Sequence, residues 1–344
     1  IGNYERFLDE DITRANYMTT GVVYLSVIQR ERALGYGGKT VEVVPHVPLE
    51  VVGRIKNAAT LNNADVTIIE IGGTVGEYQN VLFLEAARMM RTEASTDVLV
   101  GLVSYLPVPG SLGEMKTKPT QYAVRTLNGT GIQPDFIIAR SPYPIDLPRK
   151  QKIAMNCSMQ AEDIISAPDV ASIYDVPLNF NKEGLCQRIV KKLKLRAKPV
   201  DTRAWAALGK SIHGSTKKVR IGIVGKYVST GDFTLTDAYL SVLEAVKHAA
   251  WSVNHKPEIV WLNAEELEQN PKSVSKVLKD LDGILVPGGF GTRGIEGKLL
   301  AIRYAREKKI PYLGLCYGLQ LATVEFARNV LGWKDANTTE INPK

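Results

Sequence analysis

At 344 residues, with 44% hydrophobic and 23% charged side chains, the chain has the composition of a soluble globular protein and the length for two ordinary cores. The formal net charge of +7 suits anionic partners such as nucleotides, but the densest basic run, VKKLKLRAKP at 190–199, has no interleaved aromatics. That favours a solvated helix face over a base-stacking nucleic-acid patch. No run approaches the ~18 uncharged apolar residues of a membrane span, and the opening IGNYERFLDEDITR has no signal-peptide core. Three scattered cysteines, Cys157, Cys186 and Cys316, lack metal-ligand spacing and point to a reduced, cytoplasmic setting. The chain opens without methionine and stops at NTTEINPK without a closing element, so both ends are expected to be cut.

In chain order, KTVEVVPH (39–46), DVTIIEIGG (65–73), DVLVGLVSYL (97–106) and PDFIIAR (134–140) read as strands. NVLFLEAARMMRTEA (80–94) and PTQYAVRTLNG (119–129) repeat apolar residues at helical spacing between them. From 192 to 218 the pattern dissolves into a segment rich in charge, Gly, Ser and Pro, expected as a linker. The alternation then restarts with the strand VRIGIVGKY (219–227). A helix follows at 236–251, with Val242, Ala245, Val246 and Ala249 expected on its buried face. PEIVWLN (257–263) and DGILVPGGFGTRG (282–294) are strands or strand ends, a helix runs to about Lys308, and IPYLGLC closes the series. Strand alternating with helix predicts an α/β fold of two doubly wound, mostly parallel-sheet domains, 1–191 and 219–344, joined by a linker at 192–218.

Two glycine-rich segments imitate phosphate loops. ALGYGGKT (33–40) has Ala33 where the first glycine belongs and is expected to lead into a strand. GGFGTRG (288–294) has dinucleotide spacing but Gly314 where a ribose-binding carboxylate should follow. Its glycines are better suited to freeing backbone N–H groups near a developing negative charge. That fits YLGLCYGLQ (312–320), where Cys316 stands between glycines on an expected strand-to-helix elbow. In a doubly wound sheet the two segments would meet at the carboxyl edge, with Cys316 as nucleophile and the Gly288 and Tyr317 N–H groups as oxyanion donors.

In the first domain Glu70 is expected near the end of a buried strand, where a carboxylate calls for a cation, magnesium or a basic side chain. Lys116 and Lys118 stand two apart just before a helix with Pro119 in its first turn, an arrangement that suits a triphosphate.

Taken together, GNYERF, GGKTVEVVPH, EIGGTVGE, MKTKPTQ, GIQPDFIIAR, GIVGKY, DAYLSV, LVPGGFGTRG, GLCYGLQ and ANTTE stand in an order that resembles the CTP synthase family over nearly the whole chain. The resemblance implies a P-loop-type amidoligase domain followed by a class I glutamine amidotransferase domain. It also implies a cytoplasmic homotetramer, able to form filaments, that aminates UTP to CTP with ATP as co-substrate, Mg2+, and ammonia drawn from glutamine. Ammonia would pass inside the protein, since in water at neutral pH it is mostly protonated and not nucleophilic.

By the same resemblance Glu70 would bind magnesium, and Lys116, Lys118 and Gln121 would form the UTP loop, shared with the inhibitor CTP. Lys152 would be a further triphosphate contact. Cys316, Gly288 and Tyr317 would form the glutaminase centre, and Phe290, Gln320 and Glu340 would hold glutamine. Arg293 would lie in the lid through which GTP activates. The family's ATP lysine, a second magnesium carboxylate and the histidine and glutamate partners of the cysteine fall outside the chain. All four histidines, at 46, 213, 248 and 255, precede Cys316, so the chain alone is expected to be inactive. Glu77 and Gln79 replace a family aspartate and glutamate, and Asn156 stands where an aromatic often follows. These departures bear on CTP feedback. Two alternatives stay open: an amidoligase of the dethiobiotin or cobyric acid type, and a truncated, non-catalytic paralogue that assembles with or regulates a complete enzyme.

Overall fold

Two all-parallel sheets organise the computed structural model, which describes residues 1–110, 113–225, 239–289 and 291–342. The chain divides into two compact units, Ile1–Ala206 and Ala207–Lys344.

The first unit runs α1 (Gly2–Leu8), α2 (Thr20–Arg32), α3 (Val43–Leu61), α4 (Val81–Glu93), β1 (Gly101–Tyr105) and α5 (Lys118–Gly129). β2 (Phe136–Ser141), α6 (Leu147–Asn156), β3 (Ile164–Pro168), α7 (Val176–Lys182) and α8 (Leu185–Lys192) follow, and the division falls inside α9 (Arg203–Gly214). The strands lie in the order β1-β2-β3, with Leu102 opposite Ile137 and Ile137 opposite Ile164. β2 is the middle strand, and its first four residues, Phe136 to Ala139, are all apolar; Ile137 and Ala139 are fully buried. α5 is tied back to β1 by the Ser104 hydroxyl, which donates to Thr120 at 2.8 Å. At the N-terminus of α6 the Asp146 carboxylate accepts the Arg149 N–H at 3.0 Å. Phe7 stacks between Tyr174 and Trp205, at 5.5 and 5.3 Å between ring centroids.

The second unit continues with β4 (Lys217–Gly225), α10 (Leu240–Ser252), β5 (His255–Asn263), α11 (Ala264–Gln269), α12 (Val274–Leu278), β6 (Gly283–Val286), α13 (Ile295–Lys308), β7 (Tyr312–Gly314) and α14 (Tyr317–Asn329). Its order is β5-β4-β6-β7. The chain therefore winds first to one side of β4 and then to the other, the topology that opens a crevice at the carboxyl ends of the strands. α13 and α14 are joined by an ion pair that sequence reading did not foresee. The Glu325 side chain, 1% exposed, accepts from Arg306 at 2.9 and 2.8 Å. The bidentate fork keeps a buried carboxylate satisfied. No described helix is long and apolar enough to cross a membrane.

Four expectations need correction. Residues 39–46 form no strand; the chain turns into α3 at Val43, with Val44 outside helical geometry. Pro45 lacks the N–H group a ladder needs but fits a helix's first turn, while Pro48 lies inside α3. ALGYGGKT thus precedes a helix, yet its residues 33–38 form turns at the end of α2. Residues 65–73 pair with no described strand, and Ile68 is 87% exposed; only Ile71 of this stretch, followed by Val75 just beyond it, reaches the core. An apolar run becomes a strand only where a neighbour accepts its hydrogen bonds. The segment at 192–218 contains the helix α9, with Trp205 on Phe7 in the first unit and Ser211 donating to the Trp251 carbonyl at 2.9 Å in the second. On α10 the buried positions are Leu243, Glu244, Ala250 and Trp251; of the expected face, Val242 and Val246 are partly buried against the core, while Ala245 and Ala249 are exposed. The larger side chains take the core against Ile223 and Leu285.

The glycines of the dinucleotide look-alike serve turns, and Gly297 just beyond it, in α13, serves packing. Gly291 and Gly294 have φ of 78° and 69°, and at Gly297 an added Cβ would fall 1.8 Å from the Ala264 carbonyl oxygen. Gly297→Ala is expected to destabilise the second unit by about 3 kcal/mol. In α2, where Gly21 has open space, Gly21→Ala is expected to change stability by less than about 1 kcal/mol, in the stabilising direction. Urea unfolding of the two variants beside the parent tests the contrast.

Candidate functional site

In the second unit the site grows from the β6–β7 pair. Val286 faces Gly314 in the parallel register, and two residues further on Gly288 comes beside Cys316. A Cβ built on Gly288 would sit 3.4 Å from the Cys316 Cβ and 3.8 Å from its Sγ. Cys316 has φ 50° and ψ −107° and caps α14. A side chain held in such a region costs about 1–3 kcal/mol and persists only where the surroundings fix it.

The flanking glycines explain how the elbow closes. A Cβ at Gly314 would stand 2.6 Å from the Gly318 carbonyl group, and one at Gly318 would stand 2.1 Å from the Val286 oxygen. The thiol ends exposed at the head of a helix, and Tyr317, fully buried, contributes the first N–H of that helix. Burial, and then the Glu340 carboxylate, push the Tyr317 phenol upward. Gln320 donates to Glu340 at 3.1 Å, so these two expected glutamine contacts lie together. Arg293 pairs with Glu265 at 2.7 Å. Phe290 lies outside the described residues. His255 Nδ1 meets the Val253 carbonyl at 2.7 Å, and the His248 ring packs on Trp251 at 5.5 Å.

In the first unit the loop after β1 carries the basic residues. Lys116 N–H donates to the Pro107 carbonyl at 2.9 Å, and the Lys116 ammonium pairs with Glu114 at 2.6 Å. Lys118 opens α5, and Gln121, one turn on, donates to the Thr117 hydroxyl at 3.2 Å. A pocket of ≈ 300 Å³ beside α5 is lined by Lys118, Gln121, Tyr122, Arg125 and Asn156 among others. The Glu114 carboxyl is held below its ordinary range by Lys116, with smaller help from Arg149 and Lys152. Lys152, exposed on α6, therefore belongs to the same electropositive neighbourhood, and Arg149 joins it.

Glu70 is exposed rather than buried, because its segment is not a strand, so its charge is not the costly buried one expected. Tyr4 donates to its Oε2 at 3.0 Å, and burial followed by that carboxylate raises the Tyr4 phenol. No three His, Cys, Asp or Glu side chains cluster among the described residues. One accessible carboxylate nevertheless fits magnesium, which keeps waters and takes other ligands from substrate phosphates. Glu77 turns inward: it accepts the Thr74 N–H at 3.1 Å and the Gln79 amide, while Asn80 donates to the Thr74 carbonyl at 2.7 Å. Gly73 and Gly76, with φ of 89° and 98°, give this loop its shape, and Gly76 abuts Thr126 of α5.

Residues 1–195 match the family model described as CTP synthase N-terminus, and residues 234–342 match glutamine amidotransferase class-I. The chain belongs to the CTP synthase family. It is 48% identical over 344 residues to the CTP synthase of Carboxydothermus hydrogenoformans and 45% identical over 342 residues to that of Methanosarcina acetivorans. These alignments cover 100% and 99% of this chain, and it spans 63% of the length of each relative. A solved structure titled "Trypanosoma brucei CTPS - glutaminase domain with bound acivicin" is 43% identical and covers 37% of this chain and 47% of its own, with a TM-score of 0.34. Within the CTP synthase frame, Tyr4, Glu114 and Arg149 are the contacts that sequence reading missed. Glu114 was legible as a carboxylate two residues from Lys116, whereas nothing local signals the Tyr4 contact 66 residues away.

The exposures of the thiols give a direct check. Cys316 is expected to take up iodoacetamide first at pH 8. Cys157, 3% exposed with its thiol pushed up by burial, is expected to react last, since a raised pKa leaves less thiolate at that pH. Peptide mass spectrometry over time reads the order, and Cys157 labelling ahead of Cys316 would contradict the described burial.

Proposed function

We propose that the protein carrying these residues aminates UTP to CTP in the cytoplasm, using ATP and the amide nitrogen of glutamine. The observation that carries the reading is the Cys316 elbow with its φ of 50° against Gly288, inside a chain of the CTP synthase family. Because the chain spans 63% of its relatives' length, the reaction is assigned to the whole protein.

In the second unit the Cys316 sulfur attacks the amide carbon of glutamine. The Gly288 and Tyr317 N–H groups receive the oxyanion, the C–N bond breaks with release of ammonia, and water then frees glutamate from the thioester. Phe290, Gln320 and Glu340 hold the amino acid. In the first unit Lys116, Lys118, Gln121 and Lys152 bind the triphosphate of UTP. Transfer of the ATP γ-phosphoryl group to the uracil O4 makes a leaving group there, and ammonia displaces it at C4. Magnesium, held by Glu70, would neutralise phosphate charge when bound. GTP acting near Arg293 and CTP acting near Glu77 and Gln79 complete the reading as activator and inhibitor of a homotetramer.

In the intact protein Cys316→Ala is expected to abolish CTP formation from glutamine while leaving it with added ammonium salt. Undiminished glutamine-driven turnover would exclude Cys316 as nucleophile, and loss of both would exclude a separate ammonia source. A regulatory, non-catalytic role would appear instead as no CTP formation by the intact parent from either nitrogen source.

Glu114 provides a second test. Held ionised beside Lys116, it competes with phosphate for that cation. Glu114→Gln is expected to lower the UTP KM about two- to fivefold, the scale of one exposed ion pair. Weaker UTP binding would mean that Glu114 orients Lys116 instead.

A further inference from the structure

The backbone at Cys316 is held against its own preference, and most of the restraints are main chain. Leu315 N–H donates to the Val286 carbonyl at 2.9 Å, and Gly318 N–H donates to the Leu315 carbonyl at 2.9 Å. The N–H groups of Leu319 and Gln320 reach the Cys316 carbonyl at 3.1 and 3.2 Å. One side chain joins this set. The Tyr312 hydroxyl donates to the Gly318 carbonyl at 2.8 Å.

Strand alternation explains the reach. Tyr312 and Gly314 lie on one face of β7, and that face is the one against which the first turn of α14 is pressed, as the 2.6 Å approach of a Gly314 Cβ to Gly318 shows. Leu313, between them, points to the other side and is 54% exposed. The Tyr312 ring therefore stands along the turn that follows the cysteine. Burial pushes its phenol far above the ordinary value, so the hydroxyl keeps its proton and stays a donor across the working pH range.

We infer that Tyr312 is a positioning residue for the Cys316 thiol: by pinning the Gly318 carbonyl to β7 it fixes the turn that carries both the sulfur and the Tyr317 N–H. The inference rests on the reading of Cys316 as the glutaminase nucleophile. It assigns Tyr312 a role in turnover of the bound amide rather than in binding it, because Gln320 and Glu340, not Tyr312, are the expected contacts for the amino acid.

Tyr312→Phe removes the hydrogen bond and keeps the ring. In the intact protein the ratio of glutamine-driven to ammonia-driven CTP formation is expected to fall roughly fivefold, through kcat. That is the scale of one neutral hydrogen bond expressed in a barrier. The glutamine KM should stay within about twofold. In the same samples iodoacetamide labelling of Cys316 should slow by a similar factor, with Cys186 labelling as internal reference. An unchanged ratio, or a change confined to KM, would overturn the role. A parallel fall in glutamine-driven and ammonia-driven rates would also overturn it, since that marks general loss of structure. Cys316→Ala separates the two readings: if it retains glutamine turnover both fall, and if it is inactive while Tyr312→Phe is unaffected only the Tyr312 assignment falls.

Discussion

The second unit depends on the approach of one backbone to another at Gly318. With its Cα against the Val286 oxygen, where a Cβ would be only 2.1 Å away, α14 starts almost on top of the sheet. That contact sets the depth at which the helix leaves β7. Depth in turn fixes where Cys316 is carried, beside Gly288 at the end of β6. A larger residue at 318 would lift the helix, and the strained φ at 316 would lose the support that maintains it. The glycine spacing is thus a packing requirement first and a chemical one by consequence.

The two units handle charge differently. Beneath the elbow, polar groups are locked. Glu325 is forked onto Arg306, and the fully buried Lys298 places its ammonium 5.5 Å from the Tyr317 ring centroid. Around α5 and α6 the charged groups are accessible, and the Glu114 carboxylate serves Lys116 while Arg149 and Lys152 contribute at longer range. A nucleophile gains from fixed geometry, because its reacting atom must be aimed within fractions of an ångström. The accessible lysines around α5 and α6 would suit the proposed triphosphate, because a cation held by one exposed carboxylate can be passed to phosphate at little cost.

Legibility followed the same division. Elements whose pattern is complete within a short window were readable: helices α4, α5 and α13, and strands β2, β5 and β6, each signal their periodicity or continuous apolar run locally. The GLCYG elbow was readable too, because glycine is the residue that a close backbone approach demands. Residues 65–73 were misread because their apolar character matches a strand while strand formation depends on a neighbour elsewhere in the chain. Residues 39–46 were misread because β-branched residues outweighed Pro45, which favours a helix start. The Tyr4 contact with Glu70 was beyond reach, since it joins positions 66 apart with no shared motif.

Glu77 illustrates how a substitution within a motif becomes a question of geometry. Its carboxylate closes the loop 74–80 on itself, accepting from Thr74 and Gln79, while the loop's Gly76 rests on Thr126 of α5. An aspartate would be one methylene shorter. To make the same Thr74 contact it would have to draw the turn tighter and move Gly76 with it. The side chain at 77 is therefore linked to α5 through backbone position, at the contact of Gly76 with Thr126. The Glu77 and Gln79 replacements act as a pair, because each satisfies the other's side chain. Glu77 would still accept from Thr74 if Gln79 were changed alone, so the two side chains are coupled through one shared hydrogen bond and the effects of changing them are not expected to add.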